Sequence, residues 1–268
     1  MRFAIFSDVH ANLEALQQIL KRCESLDIDA YLFLGDLVGY NANPKECIEI
    51  VRSLPNIYWI KGNHDEFVAN PHVDIEQFNA QARAAVLWTR QQLSDGERDF
   101  LFNMPMRYTL RKEEITLVHA TLNSPASWGY IFDIKHAADH FDFQFTNLCF
   151  CGHSHVPAAF RRCVTETNVM ITQIPGWNKG EDEGIIPEQI HSADNLTISL
   201  ESGFRYLFNV GSVGQPRNRD PRASFAVYDT DKQQISRYRV PYPVELTKEK
   251  ILRAGLPERL AARLDLGN

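Results

Sequence analysis

The sequence predicts an α/β protein built around a mainly parallel β-sheet. Three observations predict it. The first 65 residues alternate short apolar runs with helical periodicities. Each apolar run ends in a polar cluster. The chain has 268 residues, 44% hydrophobic and 23% charged, which is enough for one sizeable core at an ordinary globular composition.

The elements follow in order. RFAIF (2–6) is short and apolar enough for a buried strand. Leu13, Leu16, Ile19, Leu20 and Cys23 recur at helical spacing behind Asn12, a good N-cap. AYLFLGD (30–36) is a second strand. NPKECIEIVRSL (43–54) is a helix with Pro44 in its first turn, and NIYWIKGNHD (56–65) a third strand. In parallel sheets ligands bind outside the carboxyl ends of strands. The clusters Ser7-Asp8-Val9-His10, Gly35-Asp36 and Gly62-Asn63-His64-Asp65 are therefore expected to converge on one crevice.

Further along, 74–93 reads as a long helix capped by Asp74. Ser94 with Glu97 forms a capping box for another, ending near Phe102. Residues 107–120 read as a hairpin turning at Lys112-Glu113, its second strand ending in His119. Residues 147–155 read as a strand running into CGHSH. Residues 164–205 are expected to hold loops and an extra β-ribbon, as an insertion. A strand and a turn-rich loop follow (205–220), then a hairpin around Asp231-Lys232 and two amphipathic helices at about 247–265. No repeat or linker divides the chain, so one domain over 1–268 is expected.

A formal charge of −6 gives no general attraction to nucleic acid or anionic lipid. The opening MRFAIFSDVH is too short for a signal h-region, and no apolar run is long enough to cross a bilayer. The five cysteines are an odd set without a framework, which points to reduced thiols in the cytoplasm. Cys149 and Cys151 read as small buried apolar residues, with a metal clip as the alternative. Oligomeric state is left open.

Gathered from the predicted strand ends, the polar residues are Asp8, His10, Asp36, Asn63, His64, His119, His153 and His155. All are oxygen or imidazole donors. That set suits Mn²⁺, Fe, Zn²⁺ or Ni²⁺ and is too rich in nitrogen to prefer Ca²⁺ or Mg²⁺. Asp8 and His10, like His153 and His155, are two apart; each pair can face one site only if its segment is extended, as the preceding apolar runs suggest.

Asp8-x-His10, Gly35-Asp36, Gly62-Asn63-His64-Asp65, His119 after an apolar strand, and Gly152-His153-Ser154-His155 resemble, in order, the motifs of the calcineurin-like metallophosphoesterases. The resemblance runs from residue 3 to about residue 160, and NVGSVGQPR (209–217) is similar to a later loop of the small prokaryotic phosphodiesterases of that superfamily. It implies a four-layer α/β/β/α sandwich of two mixed sheets with two metal ions. Carried over, Asp8, His10, Asp36 and His155 would hold the first ion, and Asp36, Asn63, His119 and His153 the second. Two divalent ions would outweigh two carboxylates and leave a cationic site suited to a phosphate ester. The implied function is phosphoester hydrolysis through a metal-bridging hydroxide, most naturally of nucleotide-type diesters. Phosphomonoesters, phosphoproteins and dinucleoside polyphosphates stand as alternative substrates, and a non-catalytic metal-bearing scaffold as the rival class. The resemblance makes His64 the catalytic residue, touching the phosphate or protonating the leaving oxygen. Asp65 either orients His64 or shapes the loop.

The remaining candidates carry two readings each. Arg217, with Arg219 and Arg222 nearby, is a phosphate grip or a solvated turn. Asn12 caps its helix or also touches substrate. Tyr40 and Asn41 line the pocket or merely follow Gly39. Trp177 lids the site or packs at an edge. His72, His136, His140 and His191 read as surface or packing residues.

Overall fold

The computed structural model describes residues 1–76, 78–164, 170–177 and 195–268. Strand β1 (Arg2–Phe6) leads to helix α1 (Leu13–Glu24), whose N-cap Asn12 accepts the Ala15 amide. Strand β2 (Ala30–Phe33), helix α2 (Pro44–Ser53) and strand β3 (Ile57–Trp59) complete the alternation, with β1, β2 and β3 parallel. After helices α3 (Asn63–Ala69), α4 (Ala80–Gln92) and α5 (Asp95–Phe102), the hairpin β4 (Arg107–Leu110) and β5 (Ile115–Val118) begins a second sheet. Helix α6 (Ile134–Phe141) precedes β6 (Leu148–Cys151) and β7 (Ala158–Cys163). The short β8 (Ile171–Gln173), then β9 (Asn195–Ser199), β10 (Phe204–Asn209), the hairpin β11 (Ala223–Asp229) and β12 (Gln234–Val240), and helices α7 (Val244–Arg253) and α8 (Glu258–Ala262) finish the chain.

The first sheet has the order β3-β2-β1-β11-β12-β9 and the second β4-β5-β6-β10-β7-β8; both are mixed. Alternation along β1 explains how they stack. Phe3 and Ile5 point one way, into a core shared with Leu117, Phe150 and Phe208 of the second sheet. Ala4 and Phe6 point the other way, onto Leu16 and Ile19 of α1 and Val51 of α2. On the outer face of the second sheet, Cys149, Cys151 and Leu207 meet Ala137 and Phe141 of α6. The result is the four-layer α/β/β/α sandwich.

Several expectations are corrected. The helix expected from Asp74 starts at Ala80 behind Asn79, whose side chain accepts the Ala82 amide; Asp74 instead closes a local turn by accepting the Glu76 amide. Asn63 and His64 open helix α3 and do not lie in a loop. Helix α6, capped by Asp133, and strand β7 were not anticipated. Residues 165–169 and 178–194 of the expected insertion, His191 among them, lie outside the described residues. Its described strands do not form a ribbon: β8 extends one sheet at its edge and β9 extends the other. Trp177 is no lid, since its ring is fully buried against Phe208 and its Nε1 donates to the Asn209 carbonyl at 2.8 Å.

Candidate metal centre

The loops leaving β1, β2, β5 and β6 all emerge at one end of the stacked sheets. They hold their polar side chains inward through unusual backbone. Asp8, His10, Asp36, Tyr40, His153 and His155 all adopt left-handed φ, between 49° and 67°. Clusters of non-glycine residues in this region mark places where surrounding contacts impose a conformation. Here the contacts are backbone bonds between neighbouring loops: Asp8 N to Gly35 O and His10 N to Asp36 O, both at 2.9 Å. The expectation that Asp8-x-His10 and His153-x-His155 are extended is therefore corrected. Local turning, not strand alternation, aims each pair.

Two close approaches need glycine. A Cβ at Gly62 would stand 2.1 Å from Asp36 Oδ1, and one at Gly152 would stand 2.0 Å from Ser7 Oγ. The segment after β10 braces the same loops from behind. Ser212 Oγ and the Gly214 amide donate to the Asp8 carbonyl, and the Gln215 carbonyl faces His155 Nδ1 at 2.6 Å.

The structure brings the predicted donors together in two overlapping groups. Ligand atoms of Asp8, His10, Asp36 and His155 lie within 4.8 Å of one another, and so do those of Asp36, His119 and His153. Asp36 belongs to both: its Oδ2 stands 3.5 Å from His10 Nε2 and 3.4 Å from His119 Nε2. All six residues are buried. Asn63, at the start of α3, is buried with its Oδ1 unpartnered.

The hydrogen-bond accounting tests whether these residues fit cations. His10 Nδ1 faces the Val38 carbonyl at 3.1 Å, His119 Nδ1 the Leu34 carbonyl at 2.7 Å, and His155 Nδ1 the Gln215 carbonyl. A carbonyl can only accept, so each Nδ1 carries a proton, and in the neutral ring that ligates a cation each Nε2 keeps its lone pair. His153 is turned the other way: Nε2 meets the Trp128 carbonyl at 2.8 Å, leaving Nδ1 basic. His10 Nε2 and His155 Nε2 then lie 3.0 Å apart, two lone pairs facing each other. That arrangement is repulsive unless a positive charge lies between them. His119 Nε2 is also buried without a hydrogen-bond partner. Outer hydrogen bonds to carbonyls are the usual means of orienting ligating imidazoles. The residues fit divalent cations.

The electrostatics agree. Burial raises the Asp8 carboxyl to about 7, with Asp36 adding to the rise. Burial would lower His119, but the nearby charge of Asp36 wins and raises it to about 9, so without a cation this ring draws a proton into the space between the donors. Burial lowers His10 and His155, and it lowers His153 to about 3. Carboxylates and imidazoles at such separations compete for protons where positive charge is wanted.

His64 lies at the mouth of this centre. Its backbone amide donates to Asp36 Oδ1 at 2.8 Å, and its ring packs 4.4 Å from Tyr40 and 4.8 Å from His10. Burial lowers its pKa to about 4, against the pull of Asp36. Asp65 does not touch the His64 ring. Its carboxylate accepts the amides of Asp36, Leu37 and Gly62 at 2.8–3.0 Å, so it shapes the loops.

A cleft of about 430 Å³ opens above the centre. Tyr40, Asn63, His64, His153 and Arg217 line it. Arg217 is half-buried, its Nη2 3.3 Å from the Tyr40 hydroxyl. Two aromatic walls were missed by sequence reasoning. Phe67 and Phe78 stand beside His64, and Trp128 and Tyr130 beside His119 and His153. None belongs to a motif: Phe67 follows the Gly62-Asn63-His64-Asp65 cluster, Phe78 falls inside the predicted 74–93 helix, and Trp128 and Tyr130 lie in a stretch assigned no element from the sequence. Arg263 of the C-terminal region also lines the cleft and was missed.

Other candidates fall outside. Asn12 does not reach the cleft: it is fully buried, its Oδ1 caps α1 and its Nδ2 donates to the Gly214 carbonyl. Asn41 is likewise buried and donates to the His10 carbonyl. Arg222 pairs with Asp220 at 2.9 Å, and neither it nor Arg219 lines the cleft. Cys149 and Cys151 pack in the apolar layer under α6, and all five cysteines are buried. His140 is buried beside Cys149, while His72 and His136 are exposed. Among the described residues no helix is long and apolar enough to cross a membrane.

Comparison with known proteins gives a consistent result. Residues 1–233 match the model of the calcineurin-like phosphoesterase superfamily domain. An uncharacterized protein of Methanocaldococcus jannaschii is 33% identical over 268 residues, covering 98% of this chain and 97% of its own. The crystal structure of a metallophosphoesterase from Sphaerobacter thermophilus superposes with a TM-score of 0.80 at 36% identity, covering 100% of this chain and 99% of the other. A hypothetical protein of Pyrococcus horikoshii shares the fold, with a TM-score of 0.75 at 20% identity and coverage of 100% and 98%.

Proposed function

The chain belongs to the calcineurin-like phosphoesterase superfamily, as a metal-dependent phosphoric ester hydrolase, and from that premise we propose that it hydrolyses nucleotide-type phosphodiesters at a two-cation centre. Asp8, His10, Asp36 and His155 would hold one cation, and Asp36, Asn63, His119 and His153 the other. Bound cations of the Mn²⁺, Fe, Zn²⁺ or Ni²⁺ type would supply an acidified water as nucleophile and offset charge developing on the phosphoryl oxygens.

The chain's own residues do the rest. Arg217, forked and half-buried at the cleft, would grip a non-bridging phosphoryl oxygen. Tyr40 holds that guanidinium from one side and packs on His64 from the other. His64 would donate its ring N–H to the leaving oxygen as negative charge grows there. The aromatic walls exclude water from the reacting phosphate.

One observation carries the preference for diesters. The cleft has an apolar wall on the His64 side and another on the His153 side, which gives room for an organic group on each side of phosphorus. A monoester would fill only one. The test compares bis(p-nitrophenyl) phosphate, p-nitrophenyl phosphate and a dinucleoside polyphosphate on protein reconstituted with Mn²⁺. The diester is expected to be turned over fastest. A monoester or polyphosphate turned over faster would sink the diester preference, and no turnover of any ester would sink the whole assignment.

A further inference from the structure

The catalytic cleft does not end at Arg217. A second cavity of about 490 Å³ lies beside it, under α8. Tyr40, Asn79 and Arg263 line both, so they form the boundary across which the two spaces meet. Arg259 faces the second cavity. Neither lining contains an Asp or Glu side chain. In a chain of formal charge −6, two guanidiniums without an Asp or Glu partner at one cleft are a local excess, met on Arg263 only by the oxygen of Asn268.

The two arginines are also incompletely used. Arg217 Nε is buried and unpartnered. Arg263 is half-buried; its Nε donates to the oxygen of Asn268, and its terminal nitrogens stay available to a ligand. Burial, and then the like charge of Arg217, depress the Arg263 pKa to about 10, a cost that a bound anion would relieve. Arg217 Nη2 also donates to Gln215 Oε1 at 3.1 Å, so Arg217 Nε and the terminal nitrogens of Arg263 are the donors left for a second oxyanion.

Building on the phosphodiesterase reading, we propose that Arg263 joins Arg217 in a second anion subsite, and that the substrate is a nucleotide bearing a second phosphoryl group besides the scissile one. The scissile phosphate sits over the donor ring within reach of Arg217. The second phosphoryl group lies at the boundary with the α8 cavity, on the Arg263 fork. The nucleobase stacks on an aromatic wall, which accepts any base because each has a π-face.

The test separates this inference from the one beneath it. Calorimetry on Mn²⁺-loaded protein would compare thymidine 5′-phosphate, thymidine 5′-diphosphate and thymidine 3′,5′-bisphosphate. One of the two-phosphate ligands is expected to bind on the order of tenfold more tightly than the monophosphate. Which one does so locates the second group. Arg263→Ala should erase that preference, and Arg263→Lys should restore part of it, since an ammonium keeps the charge but not the fork. In parallel, kcat/KM would be measured for thymidine 5′-(p-nitrophenyl phosphate) with and without a 3′-phosphate. Equal affinity for all three ligands, or a preference that survives in a folded Arg263→Ala, overturns the subsite. Turnover of neither ester, with the binding preference intact and lost in Arg263→Ala, overturns the hydrolase reading and leaves the subsite standing.

Discussion

The donor ring around Asp36 and the loop collar held by Asp65 lie side by side, both buried and both polar. They use one chemical group in opposite ways. Both oxygens of Asp65 are committed to backbone amides, of Asp36, Leu37, Val38 and Gly62. Asp36 gives one oxygen to the His64 amide and turns the other toward two imidazole nitrogens with lone pairs of their own. Around Asp65 every acceptor meets a donor. Around Asp36 acceptors meet acceptors, and Asn63 Oδ1 has no partner. Satisfied buried polarity fixes loop shape; an excess of buried acceptors marks where a cation belongs.

Three substitutions probe this contrast, taken from the largest expected effect down. Asp36→Asn removes the charge shared by both donor groups. It should cost about 10³-fold or more in kcat and lower cation content by elemental analysis, with little change in the far-UV spectrum. Full cation content in this variant would break the contrast. His64→Asn removes no proposed ligand. It should cost on the order of 10²-fold, and more for alkyl than for nitrophenyl leaving groups, with cations retained. A loss independent of the leaving group would reassign His64 to holding the phosphate. Asp65→Asn turns two donors toward buried amides. It should cost about 3 kcal/mol in denaturant unfolding of cation-free protein, with a smaller effect on activity. Unchanged stability with lost cations would place Asp65 among the functional groups instead.

Much of this was legible in the sequence, for physical reasons. The βαβ alternation showed because β1 and β2 are buried on both faces and read as apolar runs, while α1 has a clear apolar stripe. The donors showed because each sits a few residues past such a run. The loops' backbone reads differently: alternation describes strands, and Asp8, His10, Ala11, His153 and His155 are held left-handed by contacts with other loops. Helix α4 was started too early, because Asp74 and Asn79 are both good caps and only packing chooses between them. The cleft walls were least legible. Phe67, Phe78, Trp128, Tyr130 and Arg263 gain their roles from where the fold puts them, and nothing in their local sequence separates them from core or surface residues.

Asp8, Asp36 and Asn63 follow strands of one sheet, whereas His119, His153 and His155 follow strands of the other. A cation shared among them is therefore a rivet through two stacked plates. Such a site can assemble only after the plates have docked, so ion uptake should come late in folding. Chelation should then first loosen the seam between the plates, with each plate outlasting the joint.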